Sequence, residues 1–359
     1  MSDLTIRAVR ARGLDLTLQK PVETASGVMR STPLVLIDLF TEEGITGTSY
    51  VRCYTPVTLK PLVTLIQNLE PLLKGDAAVP FAVEAKLQRQ FRLLGPQGLT
   101  GIAMAGIDMA LWDARAKACG VPLVTLLGGA PKPIPAYASL RTMSPEGAAA
   151  EAAQLIALGF GAIKVKVGRG DLAADLETIR AVRRAIGASA KLMVDYNQSL
   201  SVPDAIGRAR VLDDEGLYWI EEPTRADDYE GHARIAAAAK TPVQLGENWW
   251  GPHDMAKSIA ACASDHAMLD VMKLGGVTGW LRAAALAEAA SLPASSHTFP
   301  EISAHLLGVT PTALYLEYLD HAGPILEQPV QVKDGHALTP DRPGAGLEWN
   351  EDAVARAGA

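Results

Sequence analysis

The stretch GAIKVKVG, residues 161–168, governs how the rest of the chain is read. Its apolar, β-branched residues predict a buried strand, yet it carries two lysines one residue apart. On a strand, residues i and i+2 share a face, so Lys164 and Lys166 point the same way. Lysine is favoured on exposed sheet edges, but a closed barrel has no edge, and the two ammonium groups then need partners inside.

Short apolar strands alternate with alanine-rich helices on both sides of this stretch. The strands are IPAYAS, AIKVKV, KLMVDYN, LYWIEEP, PVQLGEN, HAMLDVM, PASSH and LYLEY, and the helical runs between them include PEGAAAEAAQLIALG and GWLRAAALAEAA. Eight βα units in roughly 190 residues predict a (β/α)8 barrel, slightly short of the usual size. Upstream, TIRAVRARGLDLTL and PLVLIDLFTEEGITGTSY alternate apolar and polar residues around glycine turns, as in an antiparallel meander, and Pro56 to Gly120 follows a helical period. The tail EQPVQVKDGHALTPDRPGAGLEWNED reverts to turns and short strands. The expected fold is α/β: a modified TIM barrel with an N-terminal α+β capping domain. The expected boundaries are 1–125 for the cap, 126–325 for the catalytic barrel and 326–359 for a C-terminal segment that returns to the cap.

With 359 residues, 48% hydrophobic and 20% charged, the chain has an ordinary globular composition. A formal net charge of −7 argues against nucleic acid or an anionic membrane as partner. No run of about 18 apolar residues suggests a span, and MSDLTIRAVRARGL lacks a signal pattern, so a cytoplasmic location is expected. Cys53, Cys119 and Cys262 lie far apart without metal-ligand or CxxC spacing and are expected to be buried free thiols.

Three acids close successive strands: Asp195 in MVDYN, Glu221 in YWIEEP and Glu247 in QLGEN, about 26 residues apart, one βα repeat each. Equal spacing puts them on neighbouring strands at the C-terminal mouth, where barrel enzymes keep their chemistry. Three converging carboxylates cannot all ionise unless a cation sits among them, and oxygen ligands with room for substrate suit one magnesium ion. Glu222 competes with Glu221, but alternation lets only one face the lumen, and the repeat favours Glu221. Asp270 closes HAMLD, His297 closes PASSH and Glu317 closes LYLE; a carboxylate beside a histidine fixes its tautomer and raises its basicity. The other six histidines, such as His232, His253 and His336, fall in helix or loop contexts and receive no role.

Beside such a metal, a lysine next to a second ammonium loses affinity for its proton and becomes a usable base. Lys166 then faces one side of a substrate α-carbon and His297 the other. Bases on both faces permit proton removal from one side and return from the other, which is racemisation.

The motifs KVKVG, VDYNQSL, WIEEPT, GENWWGP, DVMKLGGVTGW, SSHTFPEISAHLL and RPGAGLEW resemble the enolase superfamily, within it the mandelate racemase subgroup, over essentially the whole chain. That resemblance implies Mg2+ on Asp195, Glu221 and Glu247, Lys166 as one base, and His297 oriented by Asp270 as the other. It also implies Lys164 against the substrate carboxylate, Glu317 as a protonated acid bonded to a carboxylate oxygen, Asn197 on the α-hydroxyl and Ser139 on the carboxylate. A mobile lid, PVETASGVM at 21–29, would close the mouth with Val22, Ser26 and Met29, and SYVRCYTP brings Arg52 and Tyr54 to the distal end of the substrate. An arginine there suits a hydroxyl-rich or acidic tail unless it turns outward to pair with Glu23. The implied function is a racemase or epimerase of a mandelate-like α-hydroxy carboxylate, acting by two-base 1,1-proton transfer through an enediolate. The alternative is an aldonate- or aldarate-type acid-sugar dehydratase. A silent binding or assembly member is a third reading, against which the intact catalytic set argues. Such proteins are commonly octamers or dimers, and the aromatics of NWWGP are expected to be exposed at such a contact.

Overall fold

The computed structural model describes residues 4–358. The N-terminal sheet is antiparallel, with β1 (Ile6–Thr24), β2 (Gly27–Thr41) and β3 (Thr46–Arg52) in that order. Helices α1 (Leu59–Leu73), α2 (Pro80–Gln90) and α3 (Gly98–Ala118) follow, and α3 lies directly on the sheet. Two glycines permit that approach. A Cβ on Gly47 would stand 2.0 Å from the Ala110 carbonyl oxygen, and one on Gly106 would stand 2.3 Å from Ile37. The short α4 (Leu123–Leu126) then leads into the second domain.

There, β4 (Pro133–Ser139), β5 (Ala162–Lys166), β6 (Lys191–Asp195), β7 (Ile220–Glu221), β8 (Val243–Leu245), β9 (His266–Leu269) and β10 (Ala294–Ser296) pair in parallel in sequence order. β11 (Leu316–Tyr318) pairs with β4. The ring closes through Leu314 N–H to Ala294 O at 2.8 Å and Ser296 N–H to Tyr315 O at 2.9 Å. Helices α5 (Pro145–Ala157), α6 (Leu172–Ile186), α7 (Val202–Leu212), α8 (Tyr229–Ala238), α9 (Gly251–Ala260), α10 (Gly276–Ala289) and α11 (Pro300–Gly308) occupy the outside. Ser144, Asp171, Ser201 and Asp228 cap α5 to α8 by accepting a backbone N–H of the first turn, which fixes where those helices begin. Every residue of β5 is buried, as a strand covered by lumen and helices requires.

Several expectations change. The strands in LYWIEEP and PVQLGEN are only two and three residues long. Glu222 at φ 36° and Gly246 at φ 137° turn the chain out of strand geometry beside the metal-site acids. The C-terminal segment first serves the barrel: β12 (Val332–Lys333) and β13 (His336–Leu338) form a hairpin that adds antiparallel to β4, which also puts His336 in a strand. Only afterwards does it reach the cap, where Trp349 donates to Asp38 at 2.8 Å and α12 (Glu351–Gly358) packs on β1. Cys53 is buried, but Cys119 and Cys262 are exposed. Trp249 of NWWGP is buried and Trp250 half-buried, so the pair is no exposed aromatic patch. Among the described residues, no helix is long and apolar enough to cross a membrane.

Asp113, fully buried on α3, joins the pieces. It accepts from Thr48 N–H and Ala345 N–H, both at 2.7 Å, and pairs with Lys117 at 2.6 Å. Its replacement would leave two buried donors unpaired. Asp113→Ala is expected to lower unfolding free energy by roughly 3 kcal/mol in urea titrations, a loss that Lys117→Ala, removing a partly exposed partner, should not reach.

Candidate active site

The residues singled out from the sequence converge at the C-terminal mouth of the barrel. Asp195 ends β6 and Glu221 ends β7, paired across the ladder, and Glu247 follows β8. One oxygen from each lies within 4.8 Å of the others. Burial, followed by the repulsion of neighbouring carboxylates, pushes Asp195 and Glu221 up against the pull of Lys164. A converging all-oxygen anionic set of this kind fits a hard divalent cation and relieves that repulsion when filled. Glu222 is not part of it. Asn248 Nδ2 donates to both oxygens of Glu222, at 2.8 and 2.9 Å, and to Glu247 at 3.3 Å, while Lys273 holds Asn248 Oδ1.

The two lysines divide as their neighbours dictate. Lys164 pairs with Glu221, with Glu317 at 2.9 Å and with Asp195 at 3.6 Å. Burial works to lower its affinity for the proton, but Glu221 and Glu317 outweigh it and hold the ammonium well above its ordinary range. Lys166 donates to Ser139 Oγ at 3.0 Å and to Leu140 O at 3.1 Å, with no carboxylate in ion-pair contact among the described residues. Burial and then the charge of Lys164 lower it.

His297 stands three strand positions from Lys166 in the ring of eight, so the two side chains enter the lumen from separate directions. Its Nδ1 lies 2.5 Å from Asp270 Oδ2, an arrangement in which Nδ1–H donates to the carboxylate and Nε2 is left facing the lumen, 3.5 Å from Glu247 and 3.9 Å from Glu317. Burial opposes the imidazolium, yet Glu247 and Asp270 raise its pKa above the ordinary value. Glu317 lies beside two cationic partners: although burial works against ionisation, Lys164 and His297 bring its carboxyl down to about 2. Asn197 donates to both oxygens of Asp195, at 2.8 Å from its N–H and 2.9 Å from Nδ2, and leaves a buried Oδ1 without a partner.

Over the mouth, the segment 21–29 is the tip of the β1–β2 hairpin. Val22 is buried opposite half-buried Met29, whereas Ser26 sits exposed at the turn and does not reach the site. The tip is tied down by Arg169, which donates to Thr24 O and Gly27 O at 2.9 Å each, and by Met143 N–H to Glu23 at 2.8 Å. Arg52 does not turn outward to Glu23; it is buried, with its guanidinium 4.9 Å from the centre of the Tyr54 ring. Sequence reading missed Asn248, Lys273 and Arg169, and also Gln244 and Trp219, which donate to Glu221 Oε2 at 2.8 and 3.1 Å. The only available signal was their place within or beside the motifs.

The fold and this constellation define a metal-dependent α/β-barrel enzyme of the enolase type. The chain belongs to the mandelate racemase/muconate lactonizing enzyme family: residues 7–128 match that family's N-terminal domain and residues 147–353 the enolase C-terminal domain-like family. It is similar to a solved enolase from Bradyrhizobium complexed with magnesium and mandelic acid, with 46% identity, a TM-score of 0.94 and 99% of each chain covered. A 3,6-anhydro-alpha-L-galactonate cycloisomerase of Streptomyces coelicolor is 32% identical over 93% of this chain and 94% of its own length. The L-talarate/galactarate dehydratase of Salmonella typhimurium, liganded with Mg and L-lyxarohydroxamate, has a TM-score of 0.93 at 28% identity, covering 99% of this chain and 93% of its own.

Calorimetric titration with Mg2+ is expected to show a site that Glu221→Gln abolishes. Gln244→Leu, which removes a hydrogen bond that orients Glu221, should weaken it about ten- to hundredfold.

Proposed function

We propose that the protein racemises or epimerises an α-hydroxy carboxylate by two-base proton transfer. The observation that carries this reading is the placement of Lys166 and the His297–Asp270 pair on separate sides of one lumen, beside the three-acid cluster. Asp195, Glu221 and Glu247 would hold Mg2+, which supplies a Lewis acid for the substrate carboxylate. Lys164, kept charged by its carboxylates, adds fixed positive charge near that group. Lys166 Nζ takes the α-proton on its face, and the electron pair of the broken C–H bond moves into the carboxylate to give an enediolate. Protonated His297 Nε2 returns a proton to the opposite face and inverts the centre; the reverse sequence runs from the other enantiomer. Asn197, with its free Oδ1, accepts from the α-hydroxyl, and Ser139 bonds a carboxylate oxygen when Lys166 releases it. Glu317, as a carboxylate, positions Lys164.

A second reading is favoured by the polar seam between cap and barrel, where Arg52 and Thr32 are buried without hydrogen-bond partners for Nε and Oγ1. A polyhydroxylated substrate would suit it, and the same enediolate would then expel a β-hydroxyl as water, with His297 donating the proton. The dehydratase among the similar structures supports this alternative.

A panel of α-hydroxy and sugar acids, incubated with Mg2+ in deuterated buffer and followed by NMR, separates the two. Deuterium at the α-position without loss of water is the expected result; a 2-keto-3-deoxy product would transfer the assignment to dehydration, and no exchange with any acid would refute both. Lys166→Ala and His297→Asn should each abolish exchange from one enantiomer only.

The pH profile carries a further prediction. A base acts deprotonated, so exchange rises as pH passes its pKa. The Lys166 limb is expected below the ordinary 10.5. Asp270→Asn removes a charge that favours the imidazolium and should shift the His297 limb towards acid in initial-rate profiles.

A further inference from the structure

The seam where the cap meets the barrel holds three buried polar side chains without the partners their burial calls for. Arg52 is 5% exposed, and its Nε has no hydrogen-bond partner. No carboxylate forms an ion pair with it among the described residues; its guanidinium rests only on the Tyr54 ring, whose other neighbour is Lys273 at 4.7 Å. His321 is 3% exposed, and neither ring nitrogen is hydrogen-bonded. Thr32 is 2% exposed, with Oγ1 unpartnered. An uncompensated buried cation is costly, and such groups in native structures usually mark the place of a ligand.

Topology puts two of the three, Arg52 and Thr32, on one wall. Leu34 pairs with Arg52 across β2 and β3, so Thr32, two residues before Leu34, lies on the same face. That face looks at the barrel: Tyr50, two residues before Arg52, donates to Glu301 of α11 at 2.8 Å, and Met272 Sδ meets the Arg52 N–H at 3.3 Å. His321 follows β11, four residues after Glu317. Burial, and then the positive charges of Arg52, Arg141, His297 and Lys166, hold it well below its ordinary pKa. The acids at the seam are engaged elsewhere: Glu301 accepts from Tyr50 at 2.8 Å and Asp320 from Gly323 N–H at 2.6 Å. His321 and Thr32 also line a cavity of about 650 Å3, together with the cations Lys20, Arg141 and Arg356 and the acids Asp15 and Asp320.

We propose that Arg52, His321 and Thr32 form a receptor for a distal carboxylate, and that the substrate is a 2-hydroxy dicarboxylic acid whose second carboxylate rests on Arg52. The planar guanidinium matches a carboxylate in two-point contact, and the Thr32 hydroxyl and one His321 N–H complete its hydrogen bonds. This assignment rests on the α-proton chemistry proposed above and adds the far end of the substrate to it. An apolar aryl tail would leave all three groups unpaired.

The test compares matched acids that differ only at the far carbon: tartrate, arabinarate and galactarate against threonate, arabinonate and galactonate. Binding is read by calorimetry on the Mg2+-loaded Lys166→Ala protein, so the result does not depend on turnover, and wild-type α-deuterium exchange is read in parallel. At least one diacid is expected to bind about thirtyfold more tightly than its monoacid partner. Adding Arg52→Met should reduce that ratio to within about threefold, and Arg52→Lys should restore part of it, which a purely structural role for Arg52 would not produce. Equal or weaker binding of every diacid, or a ratio unchanged in Arg52→Met, overturns the receptor. Exchange confined to monoacids would overturn it while leaving the two-base reading intact. Diacid preference without exchange in the wild type would sustain the receptor and refute the racemase.

Discussion

A single buried ammonium organises the barrel mouth. Asp195, Glu221 and Glu317 come from three strands into one lumen, and each is at most a few per cent exposed. Left alone they would repel one another and resist ionisation. Lys164 touches all three, so charge neutralisation and the convergence of β5, β6, β7 and β11 are one constraint. The same ammonium sets the character of Lys166. Two lysines on one strand face, two residues apart, are driven in opposite directions because one has the carboxylates, while burial and then its neighbour's charge act on the other. A firmly held ammonium and one with a loosened proton thus come from identical side chains.

Aiming these groups requires backbone that ordinary strands do not supply. Asn197, Glu222, Thr298 and Phe299 all have positive φ, between 36° and 48°, and all lie within three residues of the end of β6, β7 or β10. Such residues cost about 1–3 kcal/mol each and persist only where the surroundings over-determine them. Here Tyr196 N–H to Glu221 O and Gln198 N–H to Glu222 O bind the strand ends together just past the ladder. The chain leaves the sheet where the functional side chains must turn inward.

Much of the site was legible because the barrel repeats. An acid at or just after the end of each of three strands recurs every repeat length, and the KxK pair fixes a shared face by strand geometry alone. What was hidden depends on folding. The sharing of Lys164 among three acids needs the ring closed before it can be seen. Asn248 and Lys273 reach Glu222 only because the loop after β8 curls back. Ser26 was read as facing the mouth because a lid segment viewed as a loop has no register. Once β1 and β2 pair through Val22 and Met29, the turn points Ser26 to solvent. Cys119 and Cys262 were misassigned because spacing reports on pairing, and says nothing of exposure.

The division of labour between the domains follows from which surfaces carry tension. The machinery stands on barrel strands locked by a closed ladder, where any substitution disturbs a shared charge network. The wall facing it is the edge of the cap sheet, where Arg52 is held by packing on Tyr54 and by its own backbone, not by charge partners. Residues on that wall can change without unsettling the acids below. The lid belongs to both domains, because Arg169, which grips the hairpin tip, lies three residues after Lys166 on the same chain segment. The hairpin tip and Lys166 are therefore joined through one short segment, whereas the wall that carries Arg52 belongs to β3 of the cap.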